Sequence, residues 1–221
     1  MPVNRENYRS ISTELGIKKV ALVAVSKTKP VEEIRELYEM GHRDFGENYV
    51  QELVEKEQAL PKDIRWHFIG HLQSNKVKYI APFVHLVHGV DSLKLLKEIN
   101  KQGVNNQRVM DCLLQMHIAK EETKFGLDEQ ELTELMKQRS TLQQVRITGL
   151  MGMATFTGDM NRVREEFSYL KKIFDQWRSA DASPEFQVLS MGMSGDYPVA
   201  IEEGSTMVRI GSLIFGEREI K

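Results

Sequence analysis

The sequence predicts an α/β protein that forms a single (β/α)8 TIM-like barrel domain over residues 1–221. Short apolar runs of strand length alternate along the chain with segments whose apolar residues recur at helical spacing. Eight strand candidates separated by helices are typical of a parallel sheet covered on its outer face, and eight units are the number that closes a barrel. An open doubly wound sheet is the alternative, but the sequence contains neither G-x-G-x-x-G after the first strand nor G-x-x-x-x-G-K-[ST].

The predicted strands are short apolar runs, and the first of them is Val-rich. In chain order they cover 20–25, 43–45, 66–69, 83–87, 110–117, 145–150, 186–189 and 207–210. In such a barrel, function gathers at the carboxyl ends of the strands and in the loops that follow them. The residues that directly follow these runs are therefore the first candidates for a site.

The predicted helices are defined by helical spacing and by capping residues. Tyr8, Ile11 and Leu15 lie on one face of the first helix, which we expect to end at Gly16. Further helices are expected after Pro30, from Val50 to before Pro61, over 72–79, and after Asp91 or Ser92. Three more are expected after Asp128, with Glu131 completing a capping box, along Val163 to Trp177, and over 198–203 before Gly204. The acid-rich run 52–57 is expected to be a solvated helix face.

Charge and hydropathy exclude several classes of protein. The 30 Lys and Arg against 32 Asp and Glu give a net charge of −2, which offers no basic face for nucleic acid. No apolar run approaches the roughly 18 residues of a membrane span, and residues 1–6 lack the apolar core of a signal peptide. We therefore expect a cytoplasmic protein, and a monomer because no long exposed apolar seam stands out.

The single cysteine and the histidines predict neither a disulfide nor a metal site. Cys112 cannot close an internal disulfide, and its apolar neighbours favour a small buried hydrophobe. His67 and His71 would lie about 13 Å apart in an extended segment, too far to share one ion. His85 and His88 are three apart, hence on opposite faces of a strand. We expect buried, hydrogen-bonded histidines.

Two predicted loops are suited to bind an anion. The loop after the seventh strand covers 190–196, and the loop after the eighth covers 209–212. Both supply glycine, serine and backbone N–H groups at positions that lead into a helix, which can bind an anion without net positive charge. Phosphate sites of these barrels favour the same two loops, so their joint placement predicts a phosphorylated ligand.

Lys27 follows the first strand and would point into the mouth of the barrel. A surface lysine is the ordinary interpretation of any single lysine. Together with an arginine and a phosphate-binding loop at one mouth, it can instead be an amine that forms a Schiff base with a carbonyl. A phosphorylated aldehyde satisfies all of these features, and pyridoxal 5′-phosphate is the candidate.

Five segments carry a family resemblance that extends from about residue 20 to 216. They are AVSKT (24–28), FGENYVQE (45–52), WHFIGHLQSNK (66–76), LSMGMSGD (189–196) and GSTMVRIGSLIFG (204–216). The chain resembles the pyridoxal phosphate homeostasis proteins. The resemblance implies a barrel like the N-terminal domain of alanine racemase, with pyridoxal 5′-phosphate as its cofactor.

The resemblance also implies roles for individual residues. Lys27 corresponds to the Schiff-base lysine, and Ser194 to the hydroxyl that binds the phosphate. Gly211 and Ser212 correspond to positions that complete the phosphate site, and Arg209 to the arginine that faces the pyridine nitrogen. Asn48 is expected to line the cofactor pocket, and Lys124 to lie near it as a second amine. No residue is assigned a catalytic or metal-binding role.

The predicted function is storage and delivery of the cofactor in vitamin B6 homeostasis, without catalysis, with apo-enzymes that need the cofactor as partners. A fixed cation at Arg209 disfavours protonation of the ring nitrogen, and so weakens carbanion chemistry. The resemblance to alanine racemase covers only its barrel, and we expect no second domain with an opposing tyrosine. The alternatives are a racemase-like enzyme, a Schiff-base aldolase acting on a sugar phosphate, and a scaffold without a ligand.

Overall fold

The computed structural model describes residues 3–119, 125–180 and 184–217, and these residues form a closed barrel of eight parallel strands in chain order. Each strand pairs with the next one along the chain, and the last closes onto the first, where Ala21 lies opposite Met207. The strands are β1 Ala21–Val25, β2 Asp44–Glu47, β3 Arg65–Phe68, β4 Leu86–Val90, β5 Met110–Gln115, β6 Val145–Met151, β7 Val188–Met193 and β8 Met207–Ile210. The predicted barrel is confirmed.

Helices precede β1, connect the strands and follow β8. They are α1 Arg5–Lys18, α2 Val31–Glu39, α3 Val50–Ala59, α4 Val77–Ile80, α5 Leu93–Asn105, α6 Glu129–Gln138, α7 Met160–Ala180, α8 Tyr197–Glu202 and α9 Ser212–Phe215, with 3₁₀ turns at Ser74–Lys76 and Arg139–Thr141. Asp128 and Glu131 form the predicted capping box at the start of α6. Among the described residues, none of the helices combines the length and the apolar character needed to cross a bilayer.

The core has two layers because successive side chains of a strand point to opposite faces. One layer lies inside the barrel and contains Val23, Leu86, Leu113, Met151 and Met207. The larger layer lies between the strands and the helices and includes the fully buried aromatic rings of the chain, such as those of Phe45 and Trp66. The helix faces predicted from apolar spacing, such as that of Val163, Phe167 and Phe174 on α7, pack into this outer layer.

The predicted end of α1 at Gly16 is wrong. The helix continues to Lys18, and Lys19 ends it in the left-handed conformation with φ of +56°. The Lys19 N–H donates to the carbonyl of Gly16, and the Val20 N–H donates to the carbonyl of Leu15. The chain therefore ends the helix without using a glycine at the left-handed position, although glycine is the usual choice there.

The fourth strand lies three residues later than predicted. The N–H groups of Phe83 and Val84 both donate to the carbonyl of Ile80, so these residues close the turn after α4. Val84 is buried within that turn, at 2% exposure. An apolar run satisfies burial equally well in a tight turn and in a strand, and the run alone does not distinguish them.

The seventh strand begins two residues later than predicted and extends through Met193. Its register against β8 shifts between Ser190 and Met193, and Gly192 in this bulge has φ of +95°. Bulges of this kind are frequent beside functional sites, where they redirect a side chain. The predicted loop 190–196 is thereby reduced to the three residues from Ser194 to Asp196.

Candidate functional site

A cavity of about 610 Å³ opens at the carboxyl ends of the strands. This volume lies within the roughly 300–1,000 Å³ of small-molecule sites. Six of the predicted site residues line it, namely Lys27, Asn48, Ser194, Arg209, Gly211 and Ser212. The seventh, Lys124, lies outside the described residues. The prediction that these six residues share one mouth is therefore consistent with the geometry, while their roles stay predictions.

These residues come from four strands that are neighbours in the barrel. Pairing runs from β7 to β8, from β8 to β1 and from β1 to β2. The first and last strands meet only because the barrel closes, so residues about 180 positions apart in the chain become adjacent. The site is consequently one continuous arc of the rim.

The wall formed by the ends of β7 and β8 presents a hydroxyl and backbone groups. The Oγ atom of half-buried Ser194 accepts a hydrogen bond of 3.2 Å from the Gly211 N–H. Oδ1 of Asp196 accepts from the Met193 N–H at 2.6 Å and so shapes the turn that carries Ser194. Asp196 therefore has a local hydrogen-bonding role, and this wall provides donors of the type that bind a phosphate.

Arg209 lies inside the barrel on β8, with 3% of its surface exposed. Its Nη1 donates to Ser190 Oγ at 2.6 Å, and its Nη2 donates to the Gly152 carbonyl at 3.2 Å. Burial lowers the pKa of Arg209 to about 10, against the opposing effect of Asp196. The guanidinium therefore keeps its positive charge at neutral pH, in an orientation fixed from two sides.

A chain of buried hydrogen bonds continues from Arg209 through the barrel, and we term these residues the polar column: Arg209, Ser190, His88, His67 and Asp44. Ser190 Oγ lies 3.2 Å from His88 Nδ1, His88 Nε2 lies 2.9 Å from His67 Nδ1, and His67 Nε2 lies 3.1 Å from Asp44 Oδ1. A guanidinium only donates and a carboxylate only accepts. If each residue donates to the next, both histidines are neutral and are protonated at Nε2.

The electrostatics of the polar column agree with this direction of donation. Burial lowers the pKa of His88 well below its usual value, and the positive charge of Arg209 lowers it further. Burial alone would raise the pKa of Asp44, but hydrogen bonds from His67 and Arg65 hold it far below its usual value. A neutral His88 imidazole beside the Arg209 guanidinium is therefore the stable arrangement.

Lys27 lies in a tight turn directly after β1. The Lys29 N–H donates to the Ser26 carbonyl at 3.0 Å, and Thr28 has φ of +65°. For a β-branched residue this left-handed conformation is an outlier that costs on the order of 1–3 kcal/mol. Ser26 is fully buried and Lys27 is half-buried. The turn therefore places a lysine at the edge of the cavity on strained backbone.

Asn48 follows β2 and packs tightly against the end of β3. A Cβ atom added to Gly70 would lie 2.4 Å from the Asn48 carbonyl oxygen, so only glycine permits this approach. Both residues line the cavity. The predicted position of Asn48 in the pocket is therefore consistent with the structure, and it depends on a glycine that the sequence analysis did not identify.

Part of the cavity wall comes from residues that the sequence patterns did not indicate. Met153 and Thr155 after β6 and Gln115 at the end of β5 line the cavity. The methionines near the strand ends fall into two groups. Met153 and Met193 line the cavity, whereas Met151 and Met191 are buried in the core. Whether each methionine side chain faces the cavity or the core depends on strand register, which amino-acid composition does not give.

The expectation of a solvated face over 52–57 is wrong for two of its residues. Lys56 is buried, and its Nζ donates to Glu47 Oε1 at 2.8 Å and to Glu52 Oε1 at 2.7 Å. Glu52 is half-buried and also accepts from the Thr28 N–H. Lys56 thus pairs with a buried carboxylate on β2, Glu47, and that partner cannot be recognised from helix periodicity.

The histidines divide between the interior and the surface. His67 and His88 are buried and hydrogen-bonded as expected, whereas His71 and His85 are exposed. Within the described ranges, Asp44, His67 and His85 form a group with the donor atoms that metals prefer. However, both oxygens of Asp44 accept from Arg65, and both nitrogens of His67 are engaged by Asp44 and His88. A metal would have to displace these bonds beside a guanidinium.

Cys112 is fully buried, which confirms the predicted small hydrophobe. Burial strongly raises the pKa of its thiol, and Asp111 acts in the same direction. A neutral buried thiol is neither a nucleophile nor a metal ligand. The cavity is lined instead by the amine of Lys27, the hydroxyl of Ser194 and the guanidinium of Arg209.

Comparisons with known proteins match this arrangement. The family model for the N-terminal domain of alanine racemase matches residues 4–219. A pyridoxal phosphate homeostasis protein of Aquifex aeolicus is 43% identical over 199 residues, covering 90% of this chain and 87% of that protein. A protein of the same name from Escherichia coli is 37% identical over 221 residues, covering 97% and 94%.

Solved structures agree in fold. PipY of Synechococcus elongatus, in a structure with pyridoxal phosphate bound, is 35% identical with a TM-score of 0.87, covering 96% of this chain and 99% of that one. An alanine racemase of Bartonella henselae has a TM-score of 0.72 at 16% identity, covering 94% of this chain but 56% of that one. This second similarity shows the shared barrel alone.

Proposed function

This chain belongs to the pyridoxal phosphate homeostasis proteins, and we propose that it binds pyridoxal 5′-phosphate as a Schiff base on Lys27 and stores or delivers it without turning over a substrate. The observation that carries the proposal is the meeting of Lys27, Ser194 and Arg209 in one cavity. A relative at 35% identity is described with this cofactor bound. The residues present fit an aromatic aldehyde that carries a phosphate and a ring nitrogen.

Each part of the cofactor has a matching group in the cavity. Ser194 Oγ and the backbone at Gly211 and Ser212 would bind the phosphate through hydrogen bonds. The Lys27 amine would add to the aldehyde carbon, forming a C=N bond while the carbonyl oxygen leaves as water. Because this condensation is reversible by hydrolysis, the same bond both retains the cofactor and releases it.

Arg209 supports storage over catalysis. Bound pyridoxal phosphate stabilises carbanions best when its ring nitrogen is protonated. The positive charge of the buried Arg209 opposes that protonation by like-charge repulsion. Its hydrogen bonds to Ser190 and Gly152 also prevent it from moving away. The charge therefore favours a carrier over an enzyme that forms carbanions.

The other titratable groups of the cavity wall support the same proposal. Among the described wall residues, Lys29 donates to the Phe215 carbonyl, His71 is bonded to Asp91, and Asp196 accepts from Met193. Racemisation needs an acid and a base on opposite faces of the substrate carbon. Lys29 and Asp196 are held by bonds to the backbone, which favours a binding role.

Two assays on one preparation test the proposal. Protein loaded with pyridoxal phosphate and freed of excess cofactor is mixed with the apo form of a pyridoxal-dependent enzyme, and the recovery of that enzyme's activity is measured. The loaded protein is also incubated with L-alanine, and formation of the D-isomer is followed. We expect cofactor transfer without racemisation, and Lys27→Ala is the matched control for loading. Racemisation approaching about 1 s⁻¹, an ordinary enzymatic rate, would contradict the proposal.

We further propose that the protein acts as a cytoplasmic monomer whose partners are apo-enzymes. Support comes from the near-neutral charge balance and the rim position of the cavity, which leaves its mouth open to a recipient. Sedimentation analysis with and without cofactor tests the monomer, and a dimer under both conditions would contradict it. Fractionation of cells tests the location.

A further inference from the structure

Side chains hold the backbone on both sides of Lys27. Ser26 Oγ donates to Glu47 Oε1 at 2.6 Å, and the Ser26 carbonyl accepts from Lys56 Nζ at 2.8 Å. On the other side, the Thr28 N–H donates to Glu52 Oε1 at 2.6 Å. Three charged side chains from β2 and α3 thus bind the residues directly before and after the proposed Schiff-base lysine.

Lys56 connects these contacts into one unit. Its ammonium group has three N–H donors, and its three acceptors are the Ser26 carbonyl, Glu47 Oε1 and Glu52 Oε1, at 2.7–2.8 Å. The side chains of Lys56 and Glu47 are 6% and 0% exposed. We name Glu47, Glu52 and Lys56 the turn clamp.

Stability alone does not account for a buried ion pair at this place. Removing two charges from water costs solvation, and apolar residues of similar size often stabilise a core as well. The cost is visible at Glu47, because burial raises its pKa to about 6 despite the opposing effect of Lys56. Its Oε2 atom also lacks a hydrogen-bond partner among the described residues. Burial of the Glu47–Lys56 ion pair costs solvation free energy. Its contribution therefore lies in the geometry that it imposes on the turn.

The geometry that it imposes is a strained turn. Thr28, with φ of +65°, adopts a conformation that persists only where the surroundings hold it. Glu52 binds the Thr28 N–H, while Glu47 and Lys56 bind the two sides of Ser26. Release of these bonds would let the turn relax and would displace Lys27 between them.

We propose that the turn clamp positions Lys27 for its reaction with the cofactor aldehyde. Glu47, Glu52 and Lys56 are positioning residues in this account, since they contact the turn and do not line the same wall as the phosphate-binding groups. The inference rests on the proposed function. It assigns them to the covalent step, separately from the noncovalent binding that Ser194 and Gly211 would provide from the other side of the rim.

The experiment compares two ligands in matched variants. One ligand is pyridoxal phosphate, and the other is its analogue with a methyl group in place of the aldehyde, which binds but cannot react. Stopped-flow absorbance gives the rate constant of Schiff-base formation, and calorimetry gives the Kd of the analogue. We expect Glu52→Ala to lower the rate constant about tenfold or more while the Kd of the analogue changes less than about twofold, because misplacement of a reacting group slows reaction.

Two further variants and a control make the result specific. Glu52→Gln keeps an acceptor oxygen for the Thr28 N–H and should restore most of the rate. Glu47→Leu/Lys56→Met replaces the buried pair by apolar residues, keeps the core filled and should react as slowly as Glu52→Ala. Asp111→Asn removes an ion pair with Arg146 at the opposite end of the barrel and should react like the wild type.

The outcomes separate the two levels of the proposal. Wild-type rates in both Glu52→Ala and Glu47→Leu/Lys56→Met would overturn the turn clamp and leave the cofactor assignment intact. A parallel loss of rate and of analogue affinity would also overturn it, because that pattern indicates a general disturbance of the site. A wild-type protein that binds the analogue and forms no Schiff base would overturn the proposed function itself, and the turn clamp with it.

Discussion

Arg209 and Ser190 are joined inside the barrel by a hydrogen bond of 2.6 Å, which the guanidinium donates to the hydroxyl oxygen. Ser190 is fully buried and continues the contact to His88. The charge that faces the cavity is therefore fixed by a residue one strand away, at a position that apolar spacing would assign to the core. The orientation of the Arg209 guanidinium thus depends on Ser190 as well as on β8.

Replacement of Ser190 tests how much this bond contributes to stability. Ser190→Ala leaves an N–H of Arg209 and the Nδ1 atom of His88 without their partner in the barrel interior. An unsatisfied buried polar group costs about 1–3 kcal/mol, so we expect a loss of that size in the free energy of unfolding, measured by urea denaturation. Unchanged stability would show that the polar column is not structurally coupled to Arg209.

Replacement of Ser194 tests the phosphate wall. Ser194→Ala removes one hydroxyl from the half-buried rim, and a hydrogen bond to a charged group is worth about 1.5–3 kcal/mol. We expect the Kd of the aldehyde-free cofactor analogue to rise about tenfold or more. The free energy of unfolding should fall by only about 0.5–1.5 kcal/mol, because the Gly211 N–H loses its acceptor. Ser168→Ala, at an exposed position of α7, is the matched control, and equal Kd values in the two variants would contradict the assignment.

Gly70 is a test of the close approach between the ends of β2 and β3. In Gly70→Ala the new Cβ atom must displace the Asn48 backbone, from which it would lie 2.4 Å away. We expect cofactor binding to weaken about tenfold, since misplacement by about 1 Å in a site can cost more than that. Gly16→Ala is the control, because that helical position is open, and it should stabilise α1 by about 0.5–1 kcal/mol. Unaltered cofactor binding in Gly70→Ala would show that Asn48 does not contribute to the site.

The pH dependence of stability includes a contribution from His42. It lies between the rings of Tyr8 and Phe45, and burial lowers its pKa to about 4. The unfolded chain binds a proton at this histidine near pH 6.5, whereas the folded chain does so only near pH 4. Stability is therefore lost as the pH falls from 6.5 to 4, on the order of 3 kcal/mol from this group.

His42→Phe tests this contribution. The variant keeps a ring between Tyr8 and Phe45 and removes the titrating group, so its free energy of unfolding should fall less than that of the wild type over the same pH interval. The loss of the hydrogen bond to the Asp44 carbonyl lowers stability equally at every pH and does not alter the slope. Parallel curves for the two proteins would contradict the assignment.

Local sequence patterns predicted the fold and the residues at the mouth of the barrel. The features that these patterns did not predict depend on tertiary partners. β8 has the predicted bounds of 207–210, because its apolar run stands between Gly204 and Gly211. Lys27 lines the cavity because it directly follows such a run at the end of β1. Lys56 was misassigned to a solvated face because its partner, Glu47, comes from a neighbouring strand and only the folded chain brings the two together.

The boundaries between strands and loops also depend on tertiary partners. Gly192 suggested a loop, yet its φ of +95° forms a bulge inside β7. Phe83 and Val84 suggested a strand, yet their N–H groups close a turn on Ile80. Apolar residues and glycines are compatible with more than one backbone state, and pairing with neighbouring strands selects among them.

One amine, on Lys27, is proposed to bond the cofactor covalently. The most direct measurement is reduction with borohydride after incubation with pyridoxal phosphate, followed by peptide mass spectrometry, on the wild type, Lys27→Ala and Lys29→Ala. Lys29 lines the same cavity and donates to the Phe215 carbonyl, which makes it the matched control. We predict a reduced adduct on Lys27 in the wild type and in Lys29→Ala, and none in the cavity of Lys27→Ala. An adduct on Lys29 or Lys124 in place of Lys27, or no adduct in the wild type, would contradict the account.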